Sequence, residues 1–119
     1  MKEPGPDHPI TITPHAGRVR VVAGGITVAE TTRALALKEA AYPVVLYIPR
    51  EDAHWGRFAK SARTSHCPYK GDASYFDLDA GGSPRQAAVW SYENPFPAVA
   101  QIKEYLAFYP DKVDAIEQG

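Results

Sequence analysis

Residues 64 to 72 read Thr-Ser-His-Cys-Pro-Tyr-Lys-Gly-Asp, so a thiol, an imidazole, a phenol, an amine and a carboxylate fall within nine positions. Such a set could support cysteine chemistry. A thiol titrating near about 8.5 needs a cationic neighbour to become a thiolate at neutral pH. Here Cys67 would be the nucleophile or redox centre, His66 the base, and Lys70 a point charge that anchors an anionic group. Cys67 and His66 are therefore the catalytic candidates. The alternative is structural: free cysteine is commonly a small buried hydrophobe, and Pro68 and Gly71 make the stretch a turn.

Two other chemistries fare worse. Structural zinc wants four Cys or His ligands in close pairs. The chain has one cysteine and four histidines. His66 and Cys67 are adjacent and would point to opposite faces of an extended segment, so no metal site is expected. Asp77 and Asp79 are two apart and would share a strand face, as two-metal nucleotidyl transfer requires. That class places a Gly-Ser turn before the carboxylate pair. Here Gly82-Ser83 follows it, and the lysine motif reads K-G-D rather than K-x-D-G. No phosphate-binding glycine loop occurs.

These residues need elements to hold them. Residues 1–9 contain three prolines and a glycine and read as an extended arm, ahead of one domain over 10–119. Residues 10–13 alternate as a short strand. Gly24-Gly25 between two β-rich runs predicts a hairpin over 18–32. Leu35 and Leu37 share a face only in a strand, and 43–49 is a strand closed by proline at each end. Asp52 is expected to cap a short helix carrying Trp55 and Phe58. After the 64–72 turn, 73–78 and 87–92 form a second hairpin. Val99, Ile102 and Leu106 recur at helical spacing behind Pro97, which predicts a helix over about 97–107. Val113 and Ile116 begin a last strand. The fold expected is mainly β, with one or two short helices.

Composition limits the rest. The chain has 119 residues, 45% hydrophobic and 23% charged, enough for one core without a staple. A net charge of -1 gives no basic surplus for nucleic acid. No apolar run is long enough to cross a bilayer, and neither an apolar leader nor a second cysteine suggests export. A cytoplasmic protein without a cofactor is the expectation, its oligomeric state open, a homodimer included.

Four blocks resemble the family catalogued as domain of unknown function 427, also filed as nucleotidyltransferase-like. They are Y-I-P-R-E-D at 47–52, T-S-H-C-P-Y-K-G-D-A-S-Y at 64–75, A-V-W-S-Y at 88–92, and P-A-V-A-Q-I-K-E-Y-L-A-F-Y-P-D-K-V-D at 97–114. The resemblance implies a β-tent-like pair of antiparallel sheets with a cleft between them. It assigns no reaction. Many β-tent proteins hold zinc with two cysteine pairs, which a single cysteine excludes here.

The function expected is the binding of a small molecule, an anion among the candidates, in a polar and aromatic cleft. The lining expected is Tyr47, Asp52, Thr64, His66, Cys67, Lys70, Trp90 and Tyr105. A protein-interaction or structural domain ranks second, and a cysteine-dependent enzyme third.

Overall fold

The computed structural model describes residues 1–82 and 84–119; Ser83, part of the expected Gly82-Ser83 loop, lies outside the described residues. Ten strands make up most of it: β1 Ile10–Pro14, β2 Val19–Ala23, β3 Ile26–Thr31, β4 Leu35–Glu39, β5 Val45–Tyr47, β6 Phe58–Cys67, β7 Gly71–Leu78, β8 Arg85–Ser91, β9 Ala107–Phe108 and β10 Ala115–Gln118. Every pairing is antiparallel. The mainly β expectation holds, as do both hairpins. Gly24 and Gly25 take φ of 58° and 74°, the paired positive values that match a two-residue turn to the twist of its strands.

The strands form three sheets, ordered β1-β4-β5, β10-β2-β3 and β6-β7-β8-β9, where a pair was expected. The division occurs at Thr31–Ala34, where the chain leaves one sheet and enters another. Thr31 is buried. Its hydroxyl accepts from the Arg33 backbone N–H at 2.9 Å and donates to Asp52 Oδ2 at 2.6 Å. These bonds hold a corner between β3 and β4, so the two strands cannot share a ladder.

Alternation in the four-stranded sheet serves two cores. Phe76, Leu78, Val89 and Phe108 join a cluster with Val19, Val21 and Val28 of the β2–β3 hairpin. Ala73, Tyr75 and Ala107 join a second cluster with Leu37 and Tyr47 of the β1-β4-β5 sheet. Along β7 the two sets fall on residues of opposite parity, hence on opposite faces. A three-stranded sheet packs on each side.

Two helical expectations are corrected. Residues Pro97–Ile102 form only 3-10 turns, broken at Val99 with φ -123°, and Glu104 takes φ 64°. The chain turns there because Leu106 leaves the helical path to exchange both backbone bonds with Ile48, each 2.8 Å. Val99, Ile102 and Leu106 are all fully buried nonetheless. Near Asp52 there are single 3-10 turns, Arg50–Asp52 and Trp55–Arg57, and Phe58 already begins β6. Asp52 caps no helix, since its carboxylate is taken by Thr31 and Arg33.

The arm over 1–9 turns back on itself through a Gly5–His8 bridge. It lies against the β6–β7 turn, with Lys2 N–H bonded to Pro68 O at 2.8 Å.

Candidate functional site

Residues 64–72 are the end of one strand, a three-residue turn and the start of the next. Residues 64–67 finish β6 and Gly71 starts β7, with Cys67 paired to Gly71 across the turn. Gly71 takes φ 110°, a value that glycine adopts without a Cβ clash. The turn folds Lys70 inwards: only 9% of the residue is exposed.

Lys70 pairs there with Glu39 at the end of β4. The other oxygen of Glu39 accepts from His8 Nε2 at 2.8 Å. A carboxylate only accepts, so Nε2 carries the proton in either charge state of the ring. The His8 ring is stacked on Tyr69, centroids 3.9 Å apart. Burial alone raises the affinity of Glu39 for a proton, but its bonds and charge contacts with Lys70 and His8 outweigh this, and the carboxyl titrates below its ordinary range. Glu39 was not singled out from the sequence. It lies 31 residues from its partner, and no local pattern joins the two.

Both members of the pair line a cleft of about 1020 Å³. Glu39, Cys67, Lys70 and Tyr92 contribute polar groups to its lining. Trp90, Val45, Leu46, Ile48, Phe108 and Ile116 supply apolar lining, and His15 and Gln118 also face the cleft. Tyr42 and Val44, both largely exposed, stand on the loop beside it. Trp90 is oriented from behind: its indole N–H donates to Tyr47 Oη at 3.3 Å, and Tyr109 lies against its ring at 4.5 Å.

Tyr92 differs from its neighbours. The residue is 6% exposed, it lines the cleft, and Lys70 Nζ sits 5.8 Å from its ring centre. Tyr75 bonds Ser65 at 2.8 Å and Tyr47 bonds Trp90. No hydrogen bond is found for the Tyr92 hydroxyl among the described residues. Burial pushes its titration above the tyrosine range, with the nearby Tyr47, Cys67, Tyr75 and Glu39 adding to the effect. The group is a neutral O–H at any physiological pH.

Of the expected lining, Cys67, Lys70 and Trp90 meet in the cleft, and Tyr47 supports Trp90. The others are not brought there. His66 leaves β6 on the opposite face from Cys67, as alternation requires. Its Nδ1 is bonded to Asp72 at 2.6 Å, and Phe96 lies edge-on to its ring. The Cys67–His66 dyad is therefore not assembled. Thr64 is exposed on the same side as His66. Asp52 pins the β3–β4 corner, and Tyr105 packs half-buried on the second core. Asp77, half of the carboxylate pair, accepts from the Ala87 backbone N–H at 2.8 Å and braces the β7–β8 bulge. Asp79 is exposed beyond the end of β7. Among the described residues no group of three or more His, Cys, Asp or Glu is gathered to hold a metal ion.

A second polar cluster lies across the four-stranded sheet. Arg50 donates to Ser91 Oγ at 3.1 Å, to Glu93 at 3.3 Å and to the Glu104 carbonyl at 3.1 Å. Its guanidinium carbon stands 4.6 Å from the Trp55 ring centre and 5.4 Å from that of Phe76. Lys60 joins through Glu93 at 2.5 Å. This network ties the 48–52 segment to β8 and so fixes the strand that presents Trp90 and Tyr92.

No helix among the described residues is long and apolar enough to cross a membrane. A search of curated proteins found no match. Residues 11–119 match the family model described as a domain of unknown function, DUF427, whose name carries a nucleotidyltransferase label, and the chain belongs to that family.

Proposed function

We propose that this chain is a binding module for a small molecule held in the cleft between Trp90 and the Lys70–Glu39 pair. The carrying observation is the cleft itself, whose largely apolar lining includes a few polar groups, the Lys70–Glu39 pair among them. Its volume of about 1020 Å³ suits a ligand of metabolite size. Trp90 and the aliphatic side chains would take the body of the ligand. Lys70, Glu39, Tyr92 and Cys67 would fix its polar end. Nucleotidyl transfer receives no support from the carboxylates, since Asp77 is spent on a backbone N–H. The cysteine-enzyme reading lacks its base, since His66 faces away and holds Asp72.

A fragment screen tests this with two independent readouts. Trp55→Phe leaves Trp90 as the only tryptophan, so emission changes report the cleft. Binders are expected to shift Trp90 emission saturably and, over the same concentrations, to slow iodoacetamide alkylation of Cys67. If no compound in a broad library does both, the binding reading is lost.

A further inference from the structure

The geometry points to a ligand whose buried head is a neutral group carrying a hydrogen-bond donor and acceptor side by side, such as a primary carboxamide, rather than a free carboxylate. This rests on the cleft-binding reading and narrows it.

Three observations lead there. First, Lys70 does not present a free positive charge. It is matched by Glu39, which stays ionised and lines the same cleft. A ligand carboxylate would approach Glu39 as well as Lys70, and like charges brought together out of water repel strongly. A ligand ammonium would meet Lys70 in the same way. A neutral head avoids both penalties. Second, the pair offers complementary halves: a carboxylate that only accepts and an ammonium that only donates. A carboxamide can give its N–H to the first and its carbonyl to the second. Third, Tyr92 lines the cleft, and its hydroxyl has no hydrogen-bond partner among the described residues, so it is open to a ligand. A neutral hydroxyl that can donate or accept suits the remaining lone pair or N–H of such a head.

The body of the ligand is apolar by the same logic. Apart from the polar groups already named, the lining is mostly apolar, Val45, Leu46, Ile48, Phe108 and Ile116 among it, with His15 and Gln118 as the polar exceptions. The class is therefore an amide of an aromatic or aliphatic carboxylic acid, or a molecule ending in an equivalent neutral donor–acceptor edge.

Matched pairs test the head and the site separately. Benzamide and benzoate, cyclohexanecarboxamide and cyclohexanecarboxylate, and octanamide and octanoate are titrated at pH 8. The readout is the Trp90 indole N–H resonance, assigned with Trp55→Phe. In the wild type the amide of at least one pair is expected to bind at least ~tenfold more tightly than its acid. Glu39→Gln removes the repelling charge and leaves Lys70 unmatched, so the preference should shrink or invert. Tyr92→Phe should weaken the amide with the Trp90 resonance otherwise unchanged. Acids binding as well as amides in the wild type would overturn the inference and leave cleft binding standing. If neither member of any pair moves the Trp90 resonance at millimolar concentration, both readings fall together.

Discussion

A Cβ placed on Gly24 would stand 1.8 Å from the carbonyl oxygen of Ala80. The β2–β3 turn is thus pressed against the loop after β7, and two sheets meet there backbone to backbone. Gly25 beside it has open space around the same position and needs only its positive φ.

The two glycines should therefore respond differently. Gly24→Ala combines left-handed strain of about 1–2 kcal/mol with a clash that the backbone must move to relieve. A loss of several kcal/mol, or no folding, is expected. Gly25→Asn should change urea stability by less than about 1 kcal/mol, because asparagine tolerates that region. Equal losses at the two positions would count against the packing of Gly24 on Ala80.

Lys70→Met is the second test. A cleft lysine free to catch anions would be dispensable for stability. The partner the structure gives it is Glu39, neither Asp52 nor Asp72, and both side chains of the pair are nearly buried. Removing one charge of such a pair costs up to about 3–5 kcal/mol. Glu39 retains His8 here, so about 2 kcal/mol is expected. Glu39→Gln with Lys70→Met should cost less than the sum of the single changes. An additive double-mutant cycle would show that the pair does not couple.

Hydroxyl deletions sort the tyrosines. Tyr92→Phe should alter stability by no more than about 0.5 kcal/mol, because no protein partner is lost. Tyr75→Phe loses its bond to Ser65 and its contact with Tyr109, and should cost about 1 kcal/mol. Urea midpoints measured side by side decide it. A large loss at Tyr92 would reveal a partner within the protein.

Stability should fall at both ends of the pH scale. Glu39 titrates below its ordinary 4.5 for the reasons given above. Glu93 does so too: burial is its largest single influence and acts upward, but the contacts of Lys60, Ser74 and Arg50 prevail. A carboxyl with a depressed folded value stabilises fully above its unfolded value and loses that contribution as pH drops through the folded one. The acid decline should begin below about pH 5 and be shallower in Glu39→Gln and Glu93→Gln. Tyrosines behave oppositely. Burial, with its hydroxyl contact to Tyr75 next, pushes Tyr109 up to about 12, and Tyr47 and Tyr92 are raised mainly by burial. Their contribution holds below the unfolded value near 10 and fades as pH climbs past it. Flat urea midpoints from pH 9 to about 11 would contradict this.

Much of the fold could be read in the residues, and the omissions have causes. Hairpins announce themselves locally, as Gly24-Gly25 does. Strand β6 does not, because Phe-Ala-Lys-Ser-Ala-Arg-Thr-Ser-His-Cys is exposed at most positions and shows no alternation to detect. The spacing of Val99, Ile102 and Leu106 identified buried residues correctly but named the wrong element. Burial set by a bridge to Ile48 imitates helical periodicity. For the site, Cys67, Lys70 and Trp90 were legible by type. Glu39 was not, since a lone carboxylate acquires meaning only when another strand brings a lysine to it. The separation of His66 from Cys67 follows from strand geometry once β6 is known to reach that far.

Strand β6 also bears on how the molecule behaves among copies of itself. It is an outer strand of ten residues, and an outer strand offers unpaired backbone groups to any neighbour that can zip onto it. Its pairing with β7 slips between Lys60 and Thr64, so the edge is kinked at its middle. Lys60 and Arg63 stand exposed in that stretch. A second copy approaching the edge meets a broken ladder and its own positive charges. A kinked, charged edge of this kind disfavours edge-to-edge pairing. Replacing Arg63 with a β-branched apolar residue would turn a quiet border into a template for aggregation.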